Sequence, residues 1–166
     1  MENRTGGNPG EKPGDLIAQH LALAVPALLL GGAYLAQYGF GLYPCDMCWW
    51  QRYPHFVALA LAVMSFAVPP QRVWVALAGL AIFVSGAIGG FHAGVEYGWW
   101  EGLTACSSAV ATDGDPLDAI MNAPLIRCDA APWDLFGISL AGWNFLISCG
   151  VAITIWVLQA RSVRSV

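Results

Sequence analysis

The chain has 166 residues, of which 57% are hydrophobic and only 11% charged, against about 25% charged in an ordinary soluble domain. That balance excludes a conventional soluble fold and reads as an integral membrane protein, long enough for one compact bundle but not for a second, soluble domain. The formal net charge of −4 removes the basic surface that nucleic-acid binding requires.

Residues 1–15 are polar, rich in glycine and proline and without apolar periodicity, the composition of a disordered tail. No short apolar segment ending in a small-residue cleavage site precedes the first long apolar run, so the first span is expected to act as its own insertion signal. Leu16–Tyr38 runs for 23 residues without Asp, Glu, Lys or Arg, enough to cross a hydrocarbon core that needs about 20. The next apolar run reaches spanning length only if its helix begins at Cys48, giving a span over 48–68 with Arg52 in its first turns and Pro54 as a tolerated irregularity. A Pro69-Pro70 turn leads into a third span over 73–95, where Gly86, Gly90 and Gly94 recur every four residues. Small residues at that spacing permit close helix contact. His92 and Glu96 sit one turn apart where this span ends, followed by Trp99 and Trp100 at headgroup level.

Residues 96–135 form the long polar loop, with seven acids against the single base Arg127, and they carry Cys106 and Cys128. Leu117, Ile120, Met121 and Leu125 recur within it at helical spacing and predict a short amphipathic helix. A fourth span covers 136–158 with Cys149 near its middle, and residues 161–166 make a short tail with Arg161 and Arg164. The expected architecture is an all-α bundle of four transmembrane helices over 16–160, with loops at 39–47 and 96–135. Lys and Arg concentrate on the cytoplasmic side of membrane proteins. Arg4, Lys12, Arg72, Arg161 and Arg164 share one side, and Arg52 and Arg127 the other. Both termini are therefore expected in the cytoplasm, with Cys45, Cys48, Cys106 and Cys128 on the outer, oxidising side.

The chemistry centres on Pro44-Cys45-Asp46-Met47-Cys48-Trp49-Trp50-Gln51-Arg52. A C-x-x-C pair at a helix N-terminus meets the positive end of the helix dipole, which favours the thiolate. Arg52, four residues beyond Cys48, shares its helix face. The same spacing also serves half of a zinc site or a structural disulfide, although the flanking residues supply no further metal ligands. Cys149, in mid-span, reads as a small hydrophobe. His92 lies at the membrane level of Cys48 and Arg52, where a proton-handling histidine and a surface histidine are both open readings. Two thiol pairs, one at the membrane surface and one on a loop, suit electron transfer from pair to pair by thiol–disulfide exchange. A lipid-soluble two-electron acceptor at that level is a quinone.

Three stretches, Cys-Asp-Met-Cys-Trp-Trp-Gln-Arg-Tyr-Pro-His from Cys45, His-Ala-Gly-Val-Glu-Tyr-Gly-Trp-Trp from His92 and Cys-Asp-Ala-Ala-Pro-Trp-Asp-Leu-Phe-Gly-Ile-Ser-Leu-Ala-Gly-Trp-Asn from Cys128, together resemble the disulfide-bond formation protein B (DsbB) family of bacterial inner membranes. The resemblance implies a four-helix membrane protein that reoxidises a periplasmic thioredoxin-fold oxidase (DsbA-like) and passes the electrons to ubiquinone or menaquinone. It further implies that Cys106 forms the mixed disulfide with the partner, that Cys128 resolves it and exchanges with Cys45, and that Cys48 faces the quinone with Arg52 beside the ring. His92 is carried over as a quinone-site residue, and no metal is expected. The alternatives are a thiol oxidoreductase of the vitamin K epoxide reductase type, whose C-x-x-C lies late in its bundle, and a non-enzymatic tetraspan scaffold whose disulfides staple loops. A cation beside Cys48 has no purpose in stapling.

Overall fold

The computed structural model describes residues 12–103, 107–109 and 125–164. Among these, four long helices are present: α1 (Pro13–Phe40), α2 (Asp46–Ala67), α3 (Gln71–Glu96) and α4 (Leu140–Arg164). Two short antiparallel pairs complete the described part, β1 (Ser107–Ala109) with β2 (Leu125–Arg127) and β3 (Asp134–Leu135) with β4 (Ile138–Ser139). Each helix packs on two neighbours in the cyclic order α1, α2, α3, α4. Small side chains at the contacts, including Ala18, Ala22, Ala58, Ala62, Ala78 and Ala152, are fully buried and let the backbones approach closely.

Helices α1, α3 and α4 are long and apolar enough to cross a membrane. α2 has a comparable length of 22 residues but falls short on apolarity, because Gln51, Arg52 and His55 interrupt it. All three point inward and are buried, as polar side chains at membrane depth must be.

The glycine stripe of α3 faces protein. A Cβ at Gly86 would lie 2.7 Å from Cys149 Sγ, and one at Gly90 would lie 2.8 Å from Phe145 Cδ2, both on α4. Cys149 is half-buried in this seam as a free thiol. Cys149→Ala should therefore keep activity within a few-fold of the parent in a steady-state assay, and a complete loss would identify a fifth redox thiol.

Several boundaries differ from the sequence reading. Helix α1 starts at Pro13, within the expected tail, because Pro at the first helical position needs no N–H partner and Asp15 in the first turn pairs with Arg72 at 3.3 Å. The rest of that tail, residues 1–11, lies outside the described residues. The fourth helix begins at Leu140, not at Phe136. Phe136 and Gly137 take φ of 55° and 74°, the left-handed pair that closes a two-residue hairpin. Asp134 Oδ2 accepts from Gly137 N–H at 3.2 Å. Arg161 and Arg164, expected in a tail, form the last turn of α4, where cations complement the helix dipole. Leu125, expected on the amphipathic loop helix, is in strand β2; Leu117, Ile120 and Met121 lie outside the described residues.

One end of the bundle gathers the N-terminus of α1, the α2–α3 turn and the C-terminus of α4. Lys12 donates to the Ser162 carbonyl, Arg72 to the Gln159 carbonyl, and Gln159 Nε2 to the Arg72 carbonyl at 2.9 Å. The opposite end holds the start of α2, the end of α3 and the hairpin before α4, and it is there that the chemistry lies.

A candidate dithiol site at one end of the bundle

Helix α2 begins at the thiol motif because Cys45 is its N-cap. The Cys45 backbone is extended and its sulfur accepts the Cys48 N–H at 3.2 Å, the role usually taken by a serine or aspartate oxygen. This turns both sulfurs to one side, with Cys45 Sγ 2.8 Å from Cys48 Sγ. Both are free thiols, so a disulfide needs only a small displacement. The Cys45 thiol is pushed up to about 12, first by its hydrogen bond to Cys48 and then by burial, with His92 opposing. Cys48, over the first turn of α2 and open to the neighbouring cleft, is the sulfur of the pair placed to act as the nucleophile.

Cys128 comes to this site from the loop. It is 2% exposed and belongs to the same buried cluster as Cys45, Met47 and Val95, with Cys48 and Phe91 packed against it. It is immediately preceded by strand β2, and β1 is immediately preceded in sequence by Cys106, which itself lies outside the described residues. The outermost described pair of that ladder is Ser107 with Arg127. Beside it Arg127 holds Asp129 in a two-pronged ion pair at 2.8 and 2.9 Å, which lowers the Asp129 carboxyl and raises the Arg127 guanidinium.

His92 reaches the dithiol from α3. Its Nε2 lies 3.7 Å from Cys45 Sγ and 3.8 Å from Glu96 Oε1, and its ring also bonds the Cys128 backbone. Its Nδ1 lies 2.9 Å from Gln51 Nε2. Glu96, one turn further on, has a buried side chain hydrogen-bonded to Ser139, with Oε2 unpartnered among the described residues. Trp100, placed at headgroup level by the sequence reading, folds back on α3, where it stacks on Phe91 at 5.6 Å and donates to the Phe91 carbonyl.

Arg52 is buried and turned toward α1. Its guanidinium donates to Gln37 Oε1 at 2.7 Å and to the Ala33 carbonyl at 3.3 Å, and it lies over the rings of Tyr34 and Trp49 at 5.0 and 4.9 Å. Contacts of this kind favour a planar, delocalised cation. The expected neighbourhood of Arg52 and Cys48 takes the form of a shared cleft. A cavity of about 280 Å³ opens at this end of the four helices; Cys48, Arg52, His92 and Glu96 line it together with Leu28 and Leu140. Cys45, Cys48 and His92 offer ligand atoms within 4.8 Å of one another, as compact as a metal site.

The sequence reading gave no individual role to Gln51, His55 and Asn144, which stand in the stretches quoted above, and did not single out Ser85. Their signal was present: each is polar within an apolar span, and Gln51, His55 and Asn144 fall on the side of their helices that faces the bundle centre.

The fold and site together define a helical membrane protein with a reactive dithiol at one end of its bundle, joined there by a third thiol from a loop. The family model "Disulfide bond formation protein DsbB" matches residues 17–158, and the chain belongs to that family. Relatives named Disulfide bond formation protein B include those of Verminephrobacter eiseniae, 32% identical over 87% of this chain and 85% of the relative, and of a Polaromonas species, 31% identical over 87% and 89%. The Acidovorax relative is 31% identical over 87% of this chain and 86% of its own. No solved structure matches. The chain is thus a membrane disulfide bond formation protein, a family role that implies thiol oxidoreductase chemistry.

Proposed function

We propose that this protein is a thiol:quinone oxidoreductase that reoxidises a periplasmic thioredoxin-fold oxidase (DsbA-like) through two cysteine pairs and delivers the electrons to ubiquinone or menaquinone. The observation that carries this reading is one buried cluster in which Cys128 of the loop packs with Cys45, while Cys48 opens onto the cleft with Arg52 and His92. In this reading all four helices span the inner membrane, α2 with its polar face turned inward.

The reduced partner attacks Cys106 of a Cys106–Cys128 disulfide, forming a mixed disulfide and releasing the Cys128 thiolate. Cys128 then attacks Cys45 of a Cys45–Cys48 disulfide. The Cys128–Cys45 bond forms, the Cys45–Cys48 bond breaks, and Cys48 leaves as a thiolate. When the partner's second thiol closes its own disulfide, it returns Cys106 as a thiol, which then re-forms the loop disulfide by displacing Cys45. A quinone bound in the cleft would supply the oxidising power: Cys45 and Cys48 re-form their disulfide as they give up two electrons and two protons, which would convert the quinone to the quinol. The cleft suits a ring of that kind, since its walls are apolar and its few polar groups converge from α2 and α3.

Purified protein should reduce added quinone in proportion to the reduced thioredoxin-fold protein supplied, followed by quinone absorbance. Oxidation of the partner without loss of quinone would overturn the reading. Sidedness is tested separately. Reporter fusions after Arg72 and after Val166 should report cytoplasm and fusions near Asp113 periplasm; the reverse pattern would put the cysteines in a reducing compartment and sink the relay.

A further inference from the structure

A backbone carbonyl on α3 and two side-chain amides, Asn144 on α4 and Gln51 on α2, lead to His92 in a fixed order of donors and acceptors. Asn144 Nδ2 donates to the Ser85 backbone carbonyl at 3.2 Å, and its Oδ1 accepts from Ser148 Oγ at 2.9 Å and His55 Nε2 at 3.0 Å. A backbone carbonyl can only accept, so the orientation of the Asn144 amide is not open. The remaining Nδ2 hydrogen goes to Gln51 Oε1 at 2.9 Å. This in turn sets the Gln51 amide, whose Nε2 donates to the Met47 carbonyl at 3.3 Å and to His92 Nδ1 at 2.9 Å. Nδ1 therefore accepts, and the ring hydrogen of neutral His92 sits on Nε2, facing Cys45 Sγ and Glu96 Oε1.

We propose that Gln51, anchored by Asn144, is a positioning residue that fixes His92 as the Nε2–H tautomer and denies Nδ1 a proton, so that the ring meets the dithiol as a neutral donor. A second proton on Nδ1 would face the Gln51 N–H. Rotating the Gln51 amide to accept that proton would turn its N–H onto the Asn144 N–H, and Asn144 is held by the Ser85 carbonyl. Gly89 is what lets α3 come this close, since a Cβ there would lie 2.9 Å from the Ala141 carbonyl, 3.0 Å from Asn144 Nδ2 and 3.1 Å from Gln51 Oε1. The titratable groups facing the ring are Cys45, Glu96 and Cys128, whose backbone the ring bonds, with Cys48 and Arg52 on the same cleft and His55 behind Asn144. Glu96 favours a charged ring, and the amide chain is the opposing influence.

The consequence for turnover rests on the thiol:quinone reading; the tautomer does not. The test is ¹⁵N spectroscopy of the histidine rings in the full chain in lipid nanodiscs, with His92 assigned by His20→Gln and His55→Gln variants. In the parent, Nδ1 should show the unprotonated and Nε2 the protonated resonance, unchanged from about pH 5 to 8, across the usual histidine range. Gln51→Glu, which puts an acceptor on Nδ1, should turn both nitrogens protonated at neutral pH. Gln51→Met, which removes the amide, should let His92 titrate. An Nδ1–H or doubly protonated ring in the parent, or a Gln51→Glu spectrum identical to the parent's, would overturn the proposal. These measurements need neither quinone nor partner. A correct spectrum from a protein that fails to reduce quinone would overturn the functional reading alone.

Discussion

Cys128→Ala is expected to convert the protein from a catalyst into a trap. With Cys128 absent, Cys106 is left as a thiol that opens the disulfide of the oxidised thioredoxin-fold partner and releases the partner's second thiol; the mixed disulfide so formed, which Cys128 can no longer displace, should accumulate on acid-quenched non-reducing gels, at one partner per chain. Turnover should fall by at least about 10³-fold, the scale on which removing one member of a nucleophilic unit acts. The structure sharpens the expectation, because Cys128 is the loop thiol buried with Cys45, so its loss severs the loop from the membrane pair as well. Cys106→Ala should trap nothing by this route. Capture of the partner by Cys45 or Cys48 with a silent loop pair would reverse the order of electron flow.

The second large effect concerns Arg52. Arg52→Met removes the charge, the two hydrogen bonds to α1 and the contacts with Tyr34 and Trp49. Arg52→Lys keeps the charge and cannot reproduce the planar fork. The Cys48 sulfur retains the helix N-terminus and the Cys45 hydrogen bond in both variants, so its reactivity should survive largely intact. The apparent KM for quinone should rise about 10- to 100-fold in Arg52→Met, the worth of one or two charged hydrogen bonds, and nearly as much in Arg52→Lys. Quinone titrations with saturating reduced partner measure this, with thermal unfolding as a check on α1–α2 packing. Wild-type quinone kinetics in Arg52→Met would remove the residue from the site, and a fully active Arg52→Lys would shift the emphasis from shape to charge.

Membrane character, three of the spans and the reactive motif were legible in the sequence because each rests on local chemistry. Runs without charge cannot be mistaken, two cysteines three apart at a helix start share one face, and an arginine four residues on follows them. Helix α2 was legible as a span only by extending it to Cys48, and its polar residues now have a reason, since Gln51, Arg52 and His55 are buried in the bundle rather than set toward lipid. The start of α4 was misread because Phe136 continues an apolar run. The two left-handed residues at Phe136 and Gly137 that break it are a matter of backbone conformation, which hydropathy does not register.

Which side chains can react, and on which helical face they lie, is thus written in the order of residues along the chain. Their company is set by packing. Cys128 is 80 residues from Cys48, and no periodicity relates them; burial of the loop brings them into one cluster. Arg52 looked like a counter-charge for Cys48, yet its donors go to the Gln37 amide and the Ala33 carbonyl on α1. The proton position on His92 is the furthest from sequence of all. It follows from a carbonyl on α3, an amide on α4 and an amide on α2 taken in order, and hydrogen-bond direction of that kind exists only once the helices are packed.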